Sequence, residues 1–173
     1  MTADGDPIID GDDRMTDGGV PLNTLHPRIR LVWILRALAR ALVGGGVVAA
    51  IAFVLDRSLL LGAGVGLLLA VLGIAHAVLR YRNWAYVVGD DGIYLERGVL
   101  TQIRTEVPLV RIQHVDSRRS ALERLIGLAT VVVYTAGSRG ADVTIPGLTP
   151  EAAVDLRREL KRLAIAADGE DAV

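Results

Sequence analysis

Three histidines, a serine in a glycine-rich loop, an aspartate pair and a scatter of arginines are the side chains here that could bind or transform a molecule. His26, His76 and His114 stand far apart in three different settings, so they form no metal triad. His114 precedes Asp116 by two residues on one expected strand face. The two could hydrogen-bond, or His114 is an ordinary edge or surface histidine. Ser138 lies in TAGSRG, a turn composition without the G-x-S-x-G elbow of a nucleophilic serine or a partnered base. Asp90 and Asp91 precede Gly92 as turn formers. Glycine patterns of the phosphate-cradling kind are absent, and with no cysteine there is no thiolate nucleophile, disulfide or cysteine-held metal. No catalytic residue, cofactor or metal is expected. What remains is charge: Arg97, Arg104, Arg118 and Arg119 are candidates for contact with anionic lipid headgroups or a partner, because each cation near an anionic leaflet gains about 1 kcal/mol. Against them stand interleaved Glu96, Glu106, Asp116 and Glu123, so a solvated mixed-charge surface is the plainer alternative.

The elements that must carry these residues begin with lipid. Leu59 to Leu79 is twenty-one residues without a charged side chain, which at helical rise spans roughly 31 Å, one bilayer core. Upstream, Ala37 to Leu55 forms a second span with Arg40 snorkelling, and Asp56-Arg57-Ser58 turns between them. Residues 25–82 therefore comprise a pre-membrane amphipathic segment and a helical hairpin, with spans at about 37–55 and 59–79. Arg28, Arg30, Arg36 and Arg40 before the hairpin and Arg80 and Arg82 after it place both termini in the cytoplasm, with Trp33, Tyr81, Trp84 and Tyr86 as interface aromatics. Gly62 and Gly66 form a GxxxG pair that most simply packs the two spans together and also permits self-association. His76, with no acidic partner in either span, makes a poor proton relay.

The remaining chain is small. Residues 1–24 carry six Asp against Arg14 and have neither the basic nor the apolar region of a signal peptide; they read as a disordered acidic tail, or, more pointedly, as a regulatory or partner-binding segment. Beyond Arg82 the period changes to alternation. Trp84–Val88 and Ile93–Glu96 flank the Asp90-Asp91-Gly92 turn, and strands follow at Ile103–Val107, Gln113–Arg118, Thr130–Thr135 and Ala141–Ile145. Ser120 with Glu123 makes a capping box for a two-turn helix stopped by Gly127. Thr149 and Pro150 open a last helix to about Ala164, whose apolar stripe is Ala153, Leu156, Leu160 and Leu163. Such strands closed by an amphipathic helix read as a partly open β-barrel over residues 83–165, followed by a disordered tail at 166–173.

DGIYLERGVL, VPLVRIQHVD, SALERLIGLATVVVYTAG and the helix after IPGLTPEAA together resemble the bacterial pleckstrin-homology-like (PH-like) domain of the YdbS-like membrane proteins. The resemblance covers about Leu25 to Ala164 and includes LHPR followed by two spans. It implies a two-helix transmembrane hairpin followed by a mainly β, PH-like, partly open barrel with a C-terminal capping α-helix, in the cell membrane and without catalytic residues. The expected function is a non-enzymatic module at the cytoplasmic face that docks a membrane or cytoplasmic protein partner, through a free strand edge or the loop Ser138 to Ala141. The alternative is binding or sensing of anionic lipid headgroups. The bilayer is a partner in either case. Nucleic acid is not expected at a sequence pI of about 6.3 with few aromatics.

Overall fold

The computed structural model describes residues 22–136 and 142–170. The acidic stretch 1–21 and the loop Ser138–Ala141 lie outside it.

Helices α1 (Ile29–Val54) and α2 (Leu60–Arg82) form an antiparallel hairpin whose apolar side chains point outward: Leu42, Phe53 and Leu60 are 78%, 72% and 78% exposed. A soluble protein does not leave such a surface uncovered, whereas lipid solvates it. The backbones approach where side chains are smallest. A Cβ on Gly45 would come within 2.8 Å of the Gly66 Cα, and one on Gly62 would overlap Ala49. The small residues thus pack the two spans of one chain against each other. Asp56, at φ 53°, turns the chain between the helices.

The soluble part has two antiparallel sheets. Strands β1 (Asn23–Thr24), β2 (Ala85–Val88), β3 (Gly92–Arg97) and β4 (Ile103–Pro108) pair in that order, and β5 (Ile112–Arg118), β6 (Ala129–Thr135) and β7 (Val143–Leu148) make the second sheet. The β2–β3 turn closes with the Gly89 amide donating to the Gly92 carbonyl at 2.9 Å. Ser120 and Glu123 form the expected capping box on α3 (Ala121–Leu125), and Gly127 takes φ +70° just beyond it. Helix α4 (Pro150–Glu170), capped by Thr149 accepting from the Ala152 amide at 3.2 Å, buries Ala153, Leu156 and Leu160 against the sheets. The result is the expected PH-like open barrel.

Several boundaries differ from the sequence reading. Helix α4 runs to Glu170, so 166–170 is helical rather than tail; AIAAD contains no stop. Strand β7 continues through Pro146-Gly147 because it is an edge strand, where a missing N–H costs no ladder bond, and Gly147 adopts φ +69°. The largest difference lies before the membrane. Asn23–Thr24 adds a strand to β2, and the His26 amide donates to the Gly147 carbonyl of β7 at 2.9 Å, so the segment bridges the two sheets. Leu25, Ile29 and Val32, each 1% exposed, join the same core as Ile93, Val131 and Leu160. The domain is therefore not 83–165 alone. The first helix begins inside the barrel's core and continues from there towards the bilayer.

Candidate functional site

Shared ownership of α1 fixes a cavity at the place where hairpin and barrel meet. Trp33 is buried by the core, which orients the next turn of α1 and with it Arg36. Arg80, near the end of α2, lies with its guanidinium carbon 4.5 Å from the Trp33 ring centroid, a cation–π contact that holds it over the same spot. From the barrel come Arg97 at the end of β3, Arg118 at the end of β5, and Arg119, whose Nε donates to the Leu128 carbonyl at 3.0 Å. These five arginines share one cavity of about 470 Å³ with Trp33 and Trp84.

Glu123 is the acid in its wall. It is 6% exposed and fully engaged: it accepts from the Ser120 amide at 2.7 Å and from the Thr130 hydroxyl at 2.7 Å. Burial alone would raise its pKa. The hydrogen bonds from Ser120 and Thr130 and the charge of Arg36 outweigh burial and hold the carboxyl below the usual glutamate value. Five guanidiniums facing one committed carboxylate leave four positive charges without a counterion, and among the described residues none of the five makes an ion pair. Arginine forks match phosphate oxygens, and a half-enclosed site raises the strength of each such contact.

The sequence singled out Arg97, Arg104, Arg118 and Arg119. Three of them line the cavity. Arg104 does not: it pairs with Glu96 at 2.8 Å across the outer face of the β3–β4 ladder. Arg36 and Arg80, read from sequence only as positive charges flanking the hairpin, complete the cluster. The usable signal was their position, one just before and one just after a pair of helices that a hairpin must bring back together. His114 stacks on Tyr134, with ring centroids 4.2 Å apart, so it finds its partner on the neighbouring strand β6. His26 lies just before α1, its Nδ1 accepting from the Arg28 amide at 3.2 Å; burial, helped by Arg28, lowers its pKa.

An open two-sheet barrel with a capping helix, seated on a membrane hairpin through a common core, defines a membrane-anchored PH-like module. The chain belongs to the bacterial PH domain family, whose family model matches residues 34–164. It is similar to two Bacillus subtilis (strain 168) proteins. It is 36% identical to UPF0699 transmembrane protein YdbS over 92 residues, 53% of this chain and 56% of that protein. It is 27% identical to UPF0699 transmembrane protein YdbT over 74 residues, 42% of this chain and 15% of that protein. The match thus spans little more than half of the one relative and a small part of the other. No solved structure matches.

Proposed function

We propose that this protein is a non-enzymatic headgroup-binding module of the cell membrane, with both termini in the cytoplasm, that holds a phosphate-bearing lipid headgroup in the arginine cavity. One observation carries the reading: arginines from α1, α2, β3 and the end of β5 converge on one cavity with four charges left uncompensated. The orientation is supported by the arginines flanking both outer ends of the hairpin, Arg36 and Arg80 of the cavity among them, which favour the cytoplasmic side. On this reading the cavity, built from the residues that adjoin the membrane ends of α1 and α2, faces inner-leaflet phosphates. Its side chains supply charge rather than bond-breaking groups, and the one carboxylate is committed to Ser120 and Thr130.

The test uses a property of the composition. The chain has two tryptophans, Trp33 and Trp84, and both line the cavity, so intrinsic fluorescence reports on it. Titrating the full-length protein in neutral detergent with short-chain phosphatidylglycerol should give a saturable change that weakens with salt, while phosphatidylcholine gives none. The double variant Arg36→Gln/Arg97→Gln should lose about 2 kcal/mol, roughly thirty-fold in affinity. Equal responses to the two lipids would defeat the proposal. A second reading, docking of a protein partner, is supported by a different surface, the edge of β5 left unpaired by other strands among the described residues.

A further inference from the structure

The second sheet ends on β5, and α4 runs beside that edge, leaving a groove of about 580 Å³ between them. Its two walls differ. Ile112 and Val115 of β5, with Ala164 and Ile165 of α4, give it an apolar floor, and Ile165 is 63% exposed. Arg157, Arg158 and Lys161 give it a basic rim. Arg158 lies 3.5 Å from Asp155, but both side chains are about three-quarters exposed, and a pair of that kind holds its partners weakly. None of the groove's residues lines the arginine cavity, so this is a separate site.

An occupant of matching chemistry is present in the same chain. Residues 4–13, DGDPIIDGDD, hold five Asp and a single apolar pair, Ile8-Ile9, placed just after Pro7. Proline lacks an N–H and biases the residue before it to extended backbone. In an extended segment the period of two puts Asp6, Ile8, Asp10 and Asp12 on one face, three acids and one aliphatic to meet a helix wall with three cations and one exposed isoleucine. A free strand edge is also a template for an added strand.

Reach and effective concentration favour the chain's own segment over a free peptide. The segment is tethered through Leu22 to β1, and His26, two residues beyond the end of β1, bonds β7. Strand β5 lies two strands beyond β7, which is about 10 Å at normal strand spacing. The fourteen residues from Ile8 to Leu22 extend to at most about 50 Å, more than the roughly 35 Å across a domain of this size. A tether of this length holds its end near the groove at an effective concentration of order millimolar.

We propose that the acidic segment 4–13 occupies the β5–α4 groove of its own chain as an added extended strand, covering the edge through which a protein partner would otherwise dock.

Because the chain has no cysteine, introduced pairs can be read without background. The full-length protein carrying Ile8→Cys and Ile165→Cys, reconstituted in liposomes at low protein density, should oxidise to an intrachain disulfide at least tenfold faster than one carrying Ile8→Cys and Ile103→Cys. Ile103 is a comparably exposed site on β4 of the other sheet. Replacing Asp6, Asp10, Asp12 and Asp13 with Asn should bring the first rate down to the second. Equal rates for the two pairs would overturn the inference. So would a disulfide-linked dimer as the main product, which would assign the groove to a second copy.

Discussion

Truncating Leu25 to alanine should destabilise the barrel although Leu25 lies outside the compact stretch of strands, on the membrane side of the chain. Its side chain is 1% exposed and belongs to the central core. Its carbonyl accepts from the Tyr81 hydroxyl at 3.1 Å, and the next amide bonds Gly147. The substitution keeps both backbone contacts and removes only the apolar volume. A fully buried Leu→Ala change costs about 2–5 kcal/mol, whereas the whole domain has about 5–15 kcal/mol. Hydrogen exchange of the full-length protein in detergent reads this directly. Amides of β2, β6 and β7 that open globally should exchange faster by about thirty-fold to a few thousand-fold, at 1.4 kcal/mol per tenfold. Leu35→Ala, on the 48% exposed outer face of α1, serves as the control and should leave those amides unchanged. If Leu25→Ala shifted them by less than threefold, the pre-membrane segment would not be part of the barrel's core. The same reasoning predicts that a fragment beginning at residue 83 folds poorly, because it lacks Leu25, Ile29 and Val32, worth together about 5–9 kcal/mol by area burial.

Three more outcomes follow. Gly147→Val should destabilise by several kcal/mol in thermal melts, since Gly147 sits at φ +69° and a Cβ there meets the Ile29 Cβ at 2.8 Å; an unchanged midpoint would mean that α1 does not lie against β7. Gly127→Val should cost less, because φ +70° strains a β-branched residue there but the nearest atom to an added Cβ is a flexible Arg28 end at 3.9 Å. Acid should weaken the barrel through Glu123: its folded pKa is depressed, so the unfolded chain binds the proton more readily, and the stabilisation is present above the ordinary glutamate value and lost as pH falls through the folded one. Glu123→Gln should flatten that fall on the acid side of the ordinary glutamate value in urea midpoints; a variant with the wild-type slope would remove Glu123 as the cause.

Much of the barrel was legible because its signals are local. Asp90-Asp91-Gly92 between alternating runs specifies a hairpin, Ser120 with Glu123 specifies a helix start, and Gly127 specifies a stop; each needs only neighbours within a few residues. What escaped depends on distant partners. Ile29, Val32 and Trp33 read as the apolar side of an interfacial helix because the surfaces that bury them, around Ile93, Val131 and Ile145, come sixty or more residues later. The cavity escaped for the same reason. Arg36 and Arg80 each read as a charge flanking the hairpin, and only the closure of the hairpin over Trp33 brings them to Arg97, Arg118 and Arg119. That Arg104 lies outside the cavity and pairs with Glu96 follows from the β3–β4 register, which composition does not give.

The most direct test of headgroup binding is quenching of Trp33 and Trp84 by brominated lipid. The full-length protein is reconstituted in mixed phosphatidylcholine–phosphatidylglycerol bilayers in which only one lipid carries bromine, at equal mole fraction. Occupancy of the arginine cavity predicts stronger quenching by brominated phosphatidylglycerol than by brominated phosphatidylcholine, with the difference abolished by Arg36→Gln/Arg97→Gln. Equal quenching by the two lipids would contradict it.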